Sequence, residues 1–165
     1  YNFEGKAWKI EQDYNFKNSQ QIQCSIINYN EIKTLSSFNH RSSELENWMS
    51  FVRPIKDRDI GSSIKFCYIA EGKMDFYPRT APTMEWDTAA GHSILKAAGG
   101  NLYSNSGFEM QYGKNNFINP NFLAFGKTEN LPPKFLLFLN NQNLDDYEKD
   151  LDYAVNELRK DNLVA

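Results

Sequence analysis

The stretch from Asp87 to Ala98 leaves the fold the least choice. Ala89, Ala90, Ile94, Leu95, Ala97 and Ala98 are good helix formers or core-facing residues, and Gly99-Gly100 follows them directly. Glycine just past the last turn is the common helix stop, because it takes up the left-handed conformation at no steric cost. Short strand signals stand on both sides of this helix. Residues 1–30 read as β, with Ala7, Trp8 and Ile10 beside charged residues and Ile22, Cys24 and Ile26 alternating with polar neighbours. The Gly5 and Asp13–Asn15 regions supply their turns. Ile32 to Phe38 predicts a further strand centred on Thr34 and Leu35.

Ser42-Ser43-Glu44-Leu45-Glu46 opens a second helix, since a serine oxygen and nearby acids satisfy the free N–H groups of a first turn. Pro54 closes that region. Ile60-Gly61-Ser62-Ser63 is a turn, and Ile64 to Ala70 reads as helix or strand, the spacing of Ile64, Cys67 and Tyr68 favouring a helix. Met74 to Tyr77 predicts a short apolar strand ended by Pro78, with Thr80 to Pro82 as a loop. Asn101-Leu102-Tyr103, Phe117-Ile118 and Phe122 to Phe125 are the later strand candidates. Strands alternating with helices indicate a layered α/β fold.

Residues 128–165 differ in character. Leu131-Pro132-Pro133 signals a linker, and Leu144, Tyr147, Leu151, Val155 and Leu158 fall on one helical face at spacings of 3, 4, 4 and 3. This tail is expected to dock on its own domain or on a partner.

Bulk properties narrow the function. Hydrophobic residues at 41% and charged residues at 24% are ordinary for a soluble globular chain. A net charge of −3 argues against a dedicated nucleic-acid binder, which shows a basic excess, but leaves room for a small phosphorylated ligand held by one or two local cations. Cys24 and Cys67 are too few for a disulfide scaffold and read as reduced thiols. No apolar run approaches the roughly 20 residues of a membrane helix. The chain opens on Tyr1, without a secretory leader, and is expected to be a fragment.

Two runs carry the chemistry. In Glu85-Trp86-Asp87-Thr88-Ala89-Ala90-Gly91, Asp87 stands at a helix start, where an aspartate is most often the N-cap. The other reading is a carboxylate held rigidly as a Mg²⁺ ligand, with small Ala and Gly residues letting a ligand approach the backbone. In Gly61-Ser62-Ser63-Ile64-Lys65, hydroxyls and N–H groups precede a helix, where an anion can sit, and Lys65 adds a point charge. Arg79, in Asp75-Phe76-Tyr77-Pro78-Arg79, can grip a phosphate with two parallel hydrogen bonds. Taken alone, Lys65 and Arg79 also read as solvated surface cations.

Trp86-Asp87-x-Ala89-Ala90-Gly91 with Ala98-Gly99-Gly100 resembles the C-terminal signature of the inositol-monophosphatase superfamily. The Gly61–Lys65 and Asp75–Arg79 runs look like its CysQ-type 3′(2′),5′-bisphosphate nucleotidases. Ser36-Ser37-Phe38-Asn39-His40-Arg41 is similar to their Ser-Arg-Ser-His segment, with Phe38 where an arginine is common. The resemblance spans roughly residues 1–126. It implies an α/β fold: residues 1–30 ending an N-terminal α+β domain, residues 31–127 forming a C-terminal α/β substrate- and metal-binding domain, and residues 128–165 adding a linker and helix. It implies that Asp87 binds catalytic Mg²⁺ and that Ser62, Ser63, Lys65, Arg79 and His40 contact a phosphorylated nucleotide. Trp86 becomes a packing residue and His92 an exposed helix residue with no ligand role.

The activity implied is hydrolysis of 3′-phosphoadenosine 5′-phosphate to AMP in sulfur assimilation, in the cytoplasm, with peripheral membrane association left open. The family's Glu-Glu pair and Asp-Pro-x-Asp-Gly segment do not occur in this sequence. These 165 residues alone are therefore expected to be inactive or nearly so. An inositol or sugar-phosphate phosphatase and a non-catalytic binding module are the alternatives.

Overall fold

The computed structural model of the chain describes residues 1–10, 15–36, 42–132 and 135. The expected helix over 144–158 lies outside the described residues. Strands β1 (Asn2–Phe3) and β2 (Lys6–Lys9) form an antiparallel hairpin, and β3 (Gln20–Ile22) pairs with β2 on its other side. Glu4 (φ 51°) and Gly5 (φ 71°) both take positive φ at the two-residue turn, which matches its twist to that of the strands.

The larger sheet holds five strands in the order β5-β4-β6-β10-β8. Strand β4 (Lys33–Ser36) runs parallel to β5 (Lys56–Asp59) and to β6 (Phe76–Arg79). Strand β10 (Phe122–Phe125) runs antiparallel to β6 and to β8 (Asn101–Ser104). A two-stranded ribbon, β7 (Thr83–Met84) with β9 (Ile118–Asn119), stands beside it. Helix α1 (Ser43–Val52) connects β4 to β5, and α2 (Ile64–Ala70) connects β5 to β6. Helix α3 (Glu85–Ala97) follows β7.

The helices cover opposite faces because the central strands are apolar on both sides. Along β10, Phe122 and Ala124 pack with Phe66 and Ile69 of α2 and Leu95 of α3, while Leu123 and Phe125 pack with Leu45 and Trp48 of α1. Tyr77 and Phe76 of β6 divide in the same way. This continuous run is the pattern of a strand buried on both faces. Phe66, Phe76, Phe122 and Trp48 are at most 1% exposed. Each contributes roughly 1.5–3 kcal/mol through the area removed from water. Leu131 and Phe135, placed in the expected linker and tail, pack on the α1 side, and Trp48 Nε1 donates to the Phe135 carbonyl at 3.1 Å.

Several expectations are corrected. Pro78 does not end β6; it is buried within the strand opposite Leu123, and β6 runs on to Arg79. Strand β5 went unread because Lys56-Asp57-Arg58-Asp59 has no apolar position. It is held through polar contacts instead: Asp57 accepts from Thr34 Oγ1 at 2.8 Å and Ser36 Oγ at 3.0 Å, and Ser36 also bonds Asp59. A charged edge strand also discourages pairing with other chains. Helix α3 begins at Glu85, two residues before Asp87. The Gly91 of the signature serves packing: an added Cβ would lie 2.4 Å from the Phe66 ring, so glycine is what lets α2 and α3 approach. Among the described residues no helix is long and apolar enough to cross a membrane.

Candidate functional site

Strand β4 is a switch point: the chain leaves it through α1 on one face for β5, then returns through α2 on the other face to β6. In open α/β sheets, ligands bind in the crevice outside the carboxyl ends of strands at such a point. The carboxyl ends of β5 and β6 and the starts of α2 and α3 here surround a cavity of about 450 Å³. Ser62, Ser63, Lys65, Arg79 and Asp87, separated by up to 25 positions in the sequence, all line it. His40 lies outside the described residues.

The cationic wall is built from β6 and α2. Lys65 is only 3% exposed, which excludes the solvated-cation reading. Its Nζ donates to the Ile60 carbonyl at 2.7 Å and sits 4.6 Å from the centre of the Tyr77 ring. Burial first, then the Arg79 charge, bring its pKa down from 10.5 to about 8, with Asp59 pulling the other way. A buried ammonium with one protein acceptor keeps further N–H donors for an anion. Arg79 is half-buried, and among the described residues its one hydrogen bond runs from Nε to the Ala81 carbonyl at 3.1 Å. Before α2, Ser62 adopts a left-handed φ of 67° and Ser63 is the N-cap residue without a side-chain cap bond, so both hydroxyls are exposed at the cavity.

The opposite wall is the first turn of α3. Asp87 is the third helical residue, not the N-cap; its Oδ2 accepts the Met84 N–H at 2.8 Å. The Met84 carbonyl in turn accepts from Asn119 Nδ2 at 2.8 Å, and that amide also reaches Thr83 Oγ1 and Thr88 Oγ1, each at 3.1 Å. Glu85 fastens the turn from outside, accepting from the Gly113 and Lys114 N–H groups at 3.0 Å each and pairing with Lys114 Nζ at 2.7 Å. The bonds from Lys114 and from the two backbone N–H groups lower its pKa to about 2. One residue, Met84, is therefore held through both its N–H and its carbonyl, and this clamp fixes where the Asp87 carboxylate stands. Asn119 and Glu85 escaped the sequence reading. An Asn before Pro120 reads as a turn, and no local pattern ties either residue to a helix start 34 positions away or a loop 28 positions on.

Two assignments are reversed. Trp86 does not pack in the core; it is 67% exposed and lines the cavity. His92 is not exposed; it is 4% exposed, with Tyr112 Oη 3.0 Å from Nδ1 and Asn101 Oδ1 3.3 Å from Nε2. Burial lowers its pKa, partly offset by Asn101 and Glu109.

The residues present do not by themselves complete a Mg²⁺ site. Asp87 is the carboxylate on the cavity wall, and among the described residues no group of three or more His, Cys, Asp or Glu could hold a metal ion.

The sequence profile of the inositol monophosphatase family matches residues 5–134. The chain belongs to the inositol monophosphatase family. Within that family it is a CysQ-type member. It is 38% identical over 123 residues to the 3′(2′),5′-bisphosphate nucleotidase CysQ of Salmonella typhimurium, covering 74% of this chain and 48% of that protein. A protein of the pss 5′ region of Rhizobium leguminosarum bv. phaseoli is 52% identical over 76 residues, 42% of this chain and 80% of its own length. The crystal structure of CysQ from Bacteroides thetaiotaomicron, a bacterial member of the inositol monophosphatase family, superposes with a TM-score of 0.59 at 37% identity, over 68% of this chain and 43% of that one. The chain thus spans about half the length of the curated nucleotidases it matches.

Proposed function

We propose that this chain is the substrate-binding part of a Mg²⁺-dependent phosphomonoesterase that hydrolyses the 3′-phosphate of 3′-phosphoadenosine 5′-phosphate to give AMP and phosphate. The observation that carries the reading is the gathering of Ser62, Ser63, Lys65, Arg79 and Asp87 around one cavity. In this reading Lys65 and Arg79 hold the phosphate that is not cleaved, with Ser62 and Ser63 beside them. A buried ammonium and a guanidinium offer charge-assisted bonds that are stronger than neutral ones. His40 contacts the nucleoside.

Asp87 serves as one ligand to Mg²⁺, whose remaining carboxylates would come from outside the described residues. Such a cation neutralises phosphate charge and activates water when bound. The 165 residues alone are accordingly proposed to be inactive or nearly so. The small sheet β1–β3, separate from the five-stranded one, supports assigning residues 1–30 to the end of a preceding domain; residues 31–127 are then the binding domain and residues 128–165 an added linker and partner-docking helix. The reading carries with it a cytoplasmic place in sulfur assimilation.

Phosphate release by the intact gene product, compared across 3′-phosphoadenosine 5′-phosphate, inositol 1-phosphate and fructose 1,6-bisphosphate, tests the proposal. Preference for the nucleotide is expected. Preference for either polyol phosphate would replace it with a different substrate class on the same scaffold.

A further inference from the structure

Two turns into α3, His92 is buried at 4% exposure and does not line the cavity. An apolar side chain would fill the same space without calling for hydrogen bonds, so the imidazole needs another explanation. Its bonds set its tautomer. Asn101 Oδ1 accepts the Leu102 N–H at 2.8 Å, which identifies it as the oxygen, and His92 Nε2 stands 3.3 Å from it. Nε2 therefore carries the proton, and the bare Nδ1 accepts from the Tyr112 hydroxyl at 3.0 Å. Burial favours this neutral ring; Asn101 and Glu109 oppose it, Glu109 lying 3.8 Å from Nε2 but paired with Lys96.

Glu85 and His92, seven positions apart, share one face of α3, and both hold the loop that returns along it: Glu85 at Gly113 and Lys114, His92 at Tyr112. From Tyr112 the contacts continue to the helix start. Burial raises the Tyr112 pKa, and the Thr88 side chain beside the phenol opposes that rise. Thr88 is 1% exposed, and its hydroxyl accepts from Asn119 Nδ2 at 3.1 Å. The same amide donates to the Met84 carbonyl at 2.8 Å, and the Met84 N–H donates to Asp87 Oδ2 at 2.8 Å. We propose that His92 is a positioning residue: through Tyr112 it holds the 112–119 segment against α3 and thereby sets where the Asp87 carboxylate stands at the cavity. This rests on the reading of Asp87 as a working group of that cavity. His92 acts only through the residues between, and Lys65 and Arg79 stand on the other wall, so losing its hold should change turnover and spare ligand binding.

Two readouts on the intact gene product test it: phosphate release from 3′-phosphoadenosine 5′-phosphate with Mg²⁺, and the nuclear magnetic resonance signal of the Met84 amide, which reports its bond to Asp87. The variants are His92→Leu, His92→Gln and Tyr112→Phe, with Asp87→Asn as the reference. His92→Leu and Tyr112→Phe should lower kcat about 10- to 100-fold, leave KM within about twofold, and shift the Met84 amide. Glutamine can both accept from Tyr112 and donate to Asn101, so His92→Gln should restore kcat to within about threefold and return the amide signal. If His92→Leu fails to fold, Tyr112→Phe, which loses a single oxygen, decides in its place. Wild-type kcat and an unmoved Met84 amide in folded His92→Leu or in Tyr112→Phe would overturn the proposal and leave the reading of Asp87 standing. A raised KM at unchanged kcat would overturn it too. Normal turnover by Asp87→Asn would overturn both. If the wild type releases no phosphate, the reading of the activity falls and the Met84 amide alone decides: a shift upholds the hold of His92 on the helix start, and no shift overturns it.

Discussion

The two faces of the five-stranded sheet are built on different terms. On the α1 face, Trp48 meets Phe76 edge-on with ring centres 6.0 Å apart, and Phe135 lies parallel to Phe76 at 5.2 Å. Helix α1 starts with a simple cap, Ser42 Oγ accepting the Leu45 N–H at 3.3 Å. On the other face, α2 and α3 pack just as closely against Phe66 and Phe122, yet that face opens at the strand ends into the cavity. There the helix start is held by Asp87, Asn119 and Glu85 together, and a lysine is buried beside an aromatic ring. The α1 face is closed by aromatic packing, whereas the other keeps a buried lysine and exposed hydroxyls at the mouth of a cavity.

The comparison can be tested by changing each face in turn. The largest effect on stability is expected from Trp48→Ala, which leaves a cavity on the closed face and strips the Phe135 carbonyl of its donor. A loss of roughly 3–5 kcal/mol by urea unfolding is expected, with nucleotide affinity of the folded fraction unchanged. An unchanged midpoint would mean that the α1 face is not a tight core. Next comes Gly91→Ala. Its Cβ would be driven into Phe66, forcing α2 from α3 at a cost of roughly 1–3 kcal/mol. Because α2 carries Lys65, phosphate affinity should fall as well, unlike in Trp48→Ala. Loss of stability without loss of affinity would show that the α2–α3 contact does not set the cavity.

The smallest effect is one of pH. Lys65 has a pKa of about 8 against 10.5 when free, so between those values the unfolded chain binds the proton and the folded chain does not. Stability should therefore rise from about pH 8 to 10.5, while affinity for a phosphate begins to fall above about pH 8 as the cation is lost. Lys65→Met should abolish both trends, hold or raise the Tm, and lower phosphate affinity roughly 10- to 150-fold. Parallel trends in the wild type, or a Met variant with intact affinity, would remove Lys65 from the site.

How far the sequence reveals this depends on the reach of the forces involved. Helix α3 and strand β10 are legible because apolar spacing records local burial: the Phe122–Phe125 run can only be a strand covered on both sides. Strand β5 is illegible because its stabilisation comes from Thr34 and Ser36 of its neighbour. Lys65, Arg79 and Asp87 are legible through the motifs they sit in, and the fold brings all three to one cavity. Their surroundings were not found. Lys65 sets its ammonium over the Tyr77 ring, His92 is enclosed by Tyr112 and Asn101, and Trp86 faces outward, because each is decided by loops that return from 20 or more positions away or by a sheet the helix meets only after folding. Asn119, and the 113–114 loop through Glu85, define the start of α3 from that distance, so a one-dimensional pattern starting the helix at Asp87 is two residues late.

The central claim is that the wall formed by Asp87 faces a bound phosphate ester. Phosphate release from 3′-phosphoadenosine 5′-phosphate with Mg²⁺, measured for the intact gene product beside its Asp87→Asn variant, tests it most directly. Asparagine keeps a carbonyl oxygen to accept the Met84 N–H, so both proteins should show the same Tm. The account predicts release by the wild type and a loss of orders of magnitude in the variant. Near-normal turnover by Asp87→Asn, or no release by either folded protein, would contradict it.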